Sequence, residues 1–136
     1  MSRIAQRCCE SLMAEIQGDA AKVIACHCVE CQRRTGSTYG VGAYFKAEAV
    51  RTSGPSVTHQ RPGTTGKMVS AHFCPTCGST VYWHPQFMPG FVGVAVGAFA
   101  DPTFPAPSLS AWEHSRHPWV GFEAEMVHVP RTLADG

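Results

Sequence analysis

The sequence predicts an all-β fold, a small domain pinned by metal-binding cysteines, on three observations. Short β-rich runs recur along the 136 residues, turn-forming clusters separate them, and no long stretch repeats its apolar residues at helical period. The 13 glycines and 10 prolines point the same way, since both residues favour turns over helix interiors.

Taken in order, the first run is SLMAEI, residues 11–16, closed by the turn QGDA. KVIAC follows at 22–26 and leads directly into a cysteine cluster. One short helical turn is expected around Cys31, because VECQRRTG ends in the glycine that commonly stands just past a helix terminus. YGVGAYF at 39–45 is the next strand, and SGPS and RPGTTG mark turns before MVSAHF at 68–73. STVYW at 79–83 follows a second cysteine pair, HPQFMPG turns the chain, and FVGVAVG at 91–97 alternates valine with glycine as a strand does. After DPTFPAP, the tail holds AWEHSRHPWVGF, whose Trp112 and Trp119 are expected to cover an open end of a sheet.

Bulk properties narrow the function classes. Residues 1–136 fit one domain by size, and 44% hydrophobic residues suffice for a core. A net charge of +1 argues against nucleic acid or an anionic membrane as partner. The longest apolar run, residues 91–100, is too short to span a bilayer. The start, MSRIAQRCCESL, lacks the apolar core of a secretory signal, so a cytoplasmic location is expected. In a reducing compartment seven cysteines, an odd number, are better explained by metal binding or reactivity than by disulfides.

The cysteines fall into clusters. Cys74 and Cys77, followed by Gly78, have the spacing of a zinc knuckle, whose tight turn aims backbone amides at the thiolates. CHCVECQRRTG places Cys26, Cys28 and Cys31 within six residues. One reading joins Cys28, Cys31, Cys74 and Cys77 on a single structural zinc, although the segment between the pairs exceeds the usual ribbon spacing of about 15–20 residues. The other gives Cys26, Cys28 and Cys31 one zinc with an open fourth position. Cys74 and Cys77 then share a second, closed zinc with the Cys8–Cys9 region. Spacing does not choose between them.

With an early cysteine ahead of a Gly-Asp turn, CHCVECQRRTG and the later FCPTCGSTVYW make the chain resemble the glutathione-dependent formaldehyde-activating enzyme family, which includes the centromere protein V domain. The likeness runs from about Arg7 to Trp119. It implies a β-tent fold with two zincs, a catalytic one on Cys26, Cys28 and Cys31 and a structural one involving Cys74 and Cys77. The family's opening C-x-C-G departs here: Cys9 falls on the second cysteine, Glu10 on the glycine and Arg7 on the first cysteine. Arginine cannot ligate zinc, and two adjacent strand residues such as Cys8 and Cys9 face opposite ways without a bulge. The fourth corner is left to Cys8, a histidine or water, or the site loses its metal.

Three thiolates weaken zinc as a Lewis acid but suit exchange of a sulfur ligand, so the expected substrate is a thiol that adds to an electrophilic carbon such as formaldehyde's, and the resemblance implies that the thiol is glutathione. The resemblance accordingly implies a carbon–sulfur lyase. Arg33 and Arg34 could offset the negative cluster and hold the thiol's carboxylates. Thr35, Gly36 and Ser37 read as the turn that closes the loop, and His27, between two ligand candidates, is expected to point away from the metal. His114 and His117 are candidates for acid–base work but read first as a surface loop, while one face of Tyr82, Trp83 and His84 could wall a pocket. The competing functions are a non-catalytic module that binds glutathione or a protein partner and a purely structural zinc domain. An open metal position separates the first two from the third, and a proton-moving group separates the enzyme from the binder.

Overall fold

A computed structural model describes residues 2–9, 11–63 and 65–132. Eleven strands occur among these residues: β1 Ser2–Gln6, β2 Met13–Gln17, β3 Lys22–Cys26, β4 Gly40–Lys46, β5 Val50–Ser53, β6 Val57–Pro62, β7 Met68–Phe73, β8 Thr80–Pro85, β9 Phe91–Ala95, β10 Leu109–Ala111 and β11 Val127–His128. The helix α1, Val29–Thr35, is the one α-helix among them. They build a three-stranded antiparallel sheet, β1-β2-β5, and an eight-stranded sheet in the order β11-β10-β3-β4-β9-β8-β7-β6. The fold is therefore mostly β, as the turn-rich sequence predicts. No helix among the described residues is long and apolar enough to cross a membrane.

Strand alternation gives the large sheet two different faces. On one, Ala43 and Phe45 of β4, Val81 of β8 and Val92 and Val94 of β9 meet Ala5, Leu12, Ala14 and Ile16 from the small sheet and its connection. On the other face Tyr44, Val69, Ala71 and Trp83 form a separate cluster. Trp83 lies flat across its neighbours because they are glycines. A Cβ on Gly93, its cross-strand partner, would fall 2.2 Å from the indole Nε1, and one on Gly42 would fall 2.7 Å from the ring.

Several expectations shift. The run 91–97 stops being a strand at Ala95, and Val96–Phe99 turns as a 3₁₀ helix. The sequence reading missed β1, β5, β6, β10 and β11. In β6 every residue but Arg61 is exposed, as befits an edge strand, so it carries no apolar alternation. Pro62 is tolerated at its end for the same reason. Trp112 packs beside Leu109 and Ala111, as a cover for the sheet end should, whereas Trp119 is 74% exposed and meets the His117 ring edge-on, 5.7 Å between centroids.

Candidate functional site

Cys26 is the last residue of β3, which is held between β4 and the parallel strand β10. The chain then leaves the sheet, and Cys28 caps the N-terminus of α1 with its backbone extended at φ −65° and ψ 158°. Its Sγ accepts from the Cys31 amide at 3.3 Å, the place a serine or aspartate oxygen fills in an ordinary cap. Cys31 sits in the same first turn. Strand end, cap and first turn thus bring three Sγ atoms within 4.8 Å of one another. Hydrogen bonds from the Cys26 and Cys28 thiols, then the charges of Arg34 and Arg61, pull the Cys31 thiol down to about 3. Hydrogen bonding to Cys28 and Cys31, with burial, pushes Cys26 up. The helix ends at Gly36, whose φ of 68° is left-handed, as the sequence predicts.

His27 does point away from the cysteines. It is fully buried, and its Nε2 lies 2.9 Å from the Ser110 hydroxyl, which donates to Glu113 Oε2 at 2.6 Å. The hydroxyl has one proton and gives it to the carboxylate, so Nε2 must donate to it. Burial lowers the His27 pKa, which keeps the ring neutral. The backbone is tied as well, with Gln32 Nε2 and Ser115 Oγ donating to the His27 carbonyl at 3.0 and 2.7 Å. His117 bonds Gln32 Oε1 at 3.0 Å and His114 faces the Pro130 carbonyl at 2.9 Å, so both serve the scaffold of this loop. Thr35 bonds the Cys31 carbonyl at 2.9 Å and accepts from the Ser37 amide, the turn-closing role expected of it.

A cavity of about 460 Å³ opens against Cys26, Cys28 and Cys31. Its walls are apolar, with Tyr44, Val69, Ala71 and Trp83 on the sheet, Phe87 and Met88 on one side and Leu109, Ala111 and Trp112 on the other. Arg34 reaches into it with its guanidinium 4.8 Å over the Trp83 ring, whereas Arg33 is exposed and does not line it. Gly40 makes room, since a Cβ there would lie 2.7 Å from Arg34 Nη2. Arg61, Lys67 and Lys22 add positive charge that the sequence reading did not single out. Tyr44 accepts from Trp83 Nε1 at 3.3 Å, and burial raises its phenol pKa, so the hydroxyl keeps its proton. Tyr82 and His84 lie off this cavity, Tyr82 stacked on His72 at 4.5 Å.

The second group is built on the turn after β7. Gly78, at φ 78°, closes it, and the amides of Thr76 and Cys77 donate to Cys74 Sγ at 3.1 and 3.2 Å. Cys9 Sγ comes to 4.0 Å from Cys74 Sγ, and Cys9, Cys74 and Cys77 have their sulfurs within 4.8 Å of one another. Cys8 does not join this group; its sulfur instead lies 3.3 Å from Ser79 Oγ. Glu10, aligned on the family's glycine, lies outside the described residues. Arg7 is 6% exposed and donates through Nη1 to Cys74 Sγ, with Cys77 Sγ 3.8 Å away. Burial works against the Cys74 thiolate, but the two amides and Arg7 outweigh it and its pKa is lowered; hydrogen bonds from Ser79 bring Cys77 down to about 7. The cysteines thus sort into two groups rather than one Cys28–Cys31–Cys74–Cys77 set, and by sulfur spacing each could hold a metal ion.

Comparison with known proteins gives the chain's family. Among solved structures, the chain is similar to a crystal structure of a Rhodobacter sphaeroides protein, with 22% identity and a TM-score of 0.58 over 75% of this chain and 92% of that one, a likeness of fold. No curated protein matches it. The profile described as glutathione-dependent formaldehyde-activating enzyme matches residues 3–115, a span that takes in both cysteine groups and the pocket walls from β3 to Trp112. On that match the chain belongs to the glutathione-dependent formaldehyde-activating enzyme family.

Proposed function

We propose that the chain is a zinc-dependent carbon–sulfur lyase that joins glutathione, or a similar acidic thiol, to a small aldehyde and splits the adduct again, an activity like S-(hydroxymethyl)glutathione synthesis. Residues 1–136 would act as one such domain, in a reducing cytoplasm where the thiols stay free. The observation that carries the reading is the group of three sulfurs opening onto a pocket with basic residues among its walls. Three soft donors held by a strand end and a helix cap fit a zinc ion, and Cys26, Cys28 and Cys31 would be its ligands. Bound there, a zinc ion would supply a soft Lewis acid that favours a substrate thiol in its thiolate form.

The other parts of the task fall to the chain's own side chains. Arg34, with Arg61 and Lys67, offsets the negative cluster and takes the substrate carboxylates. In the forward direction the sulfur lone pair forms the C–S bond while the carbonyl π pair moves to oxygen, which then takes the proton that the substrate thiol gave up. Tyr44, which lines the same pocket and whose hydroxyl retains its hydrogen, would donate a hydrogen bond to that oxygen. His27 and its partners keep Cys26 and Cys28 in register behind the pocket.

A non-catalytic thiol-binding module is the second reading, favoured by one observation: no histidine or carboxylate is among the described residues lining the pocket. Exchange NMR on glutathione with formaldehyde separates the two. A lyase accelerates interconversion of free and adduct forms, and Cys31→Ser abolishes the gain. Glutathione binding with no acceleration would leave the binding module standing; neither binding nor acceleration would remove both readings.

A further inference from the structure

The resemblance implies a second zinc on Cys9, Cys74 and Cys77, and the surroundings of that group argue otherwise. A closed structural zinc needs four ligands, each sulfur about 2.3 Å from the metal. Among the described residues no histidine, carboxylate or further cysteine joins the three sulfurs. The side chain that does approach them is Arg7, buried and in hydrogen-bond contact with Cys74 Sγ. A guanidinium carries five donors and no lone pair to offer a metal, and it stays charged. A divalent ion bound to Cys74 would sit within about 5 Å of this fixed cation.

We propose that in this chain the Cys9, Cys74 and Cys77 group takes no metal, and that the Arg7 guanidinium does the ion's structural work by pairing with the Cys74 sulfur. Three observations support it independently of spacing. Among the described residues Arg7 has no carboxylate partner, so its buried charge has only sulfur to balance it. Beside the Thr76 and Cys77 amides, which a metal knuckle also has, Cys74 Sγ receives a third donor that carries a charge, the Arg7 guanidinium. The guanidinium also links the chain before β2 to the turn after β7, the same two segments a metal there would clamp. One guanidinium and one thiolate are neutral together, so the pair leaves no net charge to balance.

The test counts metal. Full-length protein saturated with zinc, desalted and analysed by elemental mass spectrometry should hold no more than one zinc per chain, and Cys31→Ser should remove it. Arg7→Cys, which replaces the cation with a ligand, should take up one zinc more than wild type. With Co²⁺ in place of zinc its thiolate-to-metal absorption should rise by the same one-site increment. Arg7→Gln keeps a donor but not the charge and should lower the melting temperature by several degrees without changing the metal count. Two zincs in the wild-type protein, or an Arg7→Cys protein that gains none, would overturn the proposal. The decision rests on wild type and Arg7→Cys, both of which keep all three cysteines. A wild-type count of zero with a gain of one in Arg7→Cys would support this inference while removing the zinc lyase of the first group.

Discussion

Arg33 and Arg34 are identical residues one position apart, yet α1 turns them to different surroundings, one to solvent and one over Trp83 in the pocket. Arg34→Ala should therefore weaken glutathione binding by about 1–2 kcal/mol in titration calorimetry, the range for a charge pair at a partly open rim. Arg33→Ala should leave it unchanged, and S-methylglutathione, which cannot ionise at sulfur, should bind more weakly than glutathione to both. Equal losses in the two arginine variants would mean that the positive charge acts diffusely and not through Arg34. Cys74 poses a different residue-scale question. If it is the counter-ion of a buried guanidinium, Cys74→Ala leaves Arg7 unpaired and should cost about 3–5 kcal/mol of stability in urea unfolding, the usual penalty for breaking a buried charge pair. Cys26→Ser leaves no such orphan and should cost less. The cysteine motifs were legible in sequence because their geometry is local, set by a cap or a turn within six residues. Gln32 bonded to His117, Ser110 bonded to His27 and Arg61 beside Cys31 were not, since their partners lie far along the chain.

At the scale of elements, β4, β8 and β9 build the pocket floor by leaving out side chains. Gly42 and Gly93 let the Trp83 indole lie against the backbone, and Arg34 then stacks on its outer face. Gly93→Ala would place a methyl 2.2 Å from the indole nitrogen and 2.4 Å from the next ring carbon, so the ring must lift into the cavity. Overpacking of this kind costs about 1–3 kcal/mol, and the lifted ring should also disturb Arg34. Gly97→Ala, where an added Cβ meets nothing within 4 Å, is the control and should be near neutral in melting temperature and glutathione affinity. If the two variants behaved alike, Trp83 would be freer than its packing implies. The valine–glycine alternation of β9 reads as a strand from sequence alone, but what the glycines accommodate depends on a tryptophan one strand away. β1 and β5 escaped notice for a related reason: each is short, and of their nine residues only Ala5 is buried, so pairing with β2 rather than patterning makes them strands.

Over the whole molecule, a chain of polar groups fastens the C-terminal segments to the back of the first cysteine group: His27 beneath the cysteines, Ser110 on β10, Glu113 after it and His128 on β11. Glu113 is the anion at its centre. Burial raises its pKa, but hydrogen bonds from His128 and Ser110 and the charges of His128 and Arg116 outweigh it, so the carboxyl is held below its ordinary 4.5. The groups facing it are His128, Arg116 and, through the Ser110 hydroxyl, His27. A carboxyl depressed in the folded state takes its proton later than in the unfolded chain. Its contribution to stability is complete above pH 4.5 and is lost as pH falls through the lower folded value, the window in which the unfolded chain binds more protons. Glu113→Gln preserves shape and one acceptor but removes the charge. In urea unfolding at pH 7 the variant should be about 1–3 kcal/mol less stable, as for loss of hydrogen bonds to a charged group. Between pH 5 and pH 3.5 wild type should lose stability faster than the variant, so that the two curves converge. Parallel curves would show that Glu113 keeps an ordinary pKa and that the tail is held to the cysteine loop by its backbone pairing, β10 on β3 and β11 on β10, without help from the polar chain.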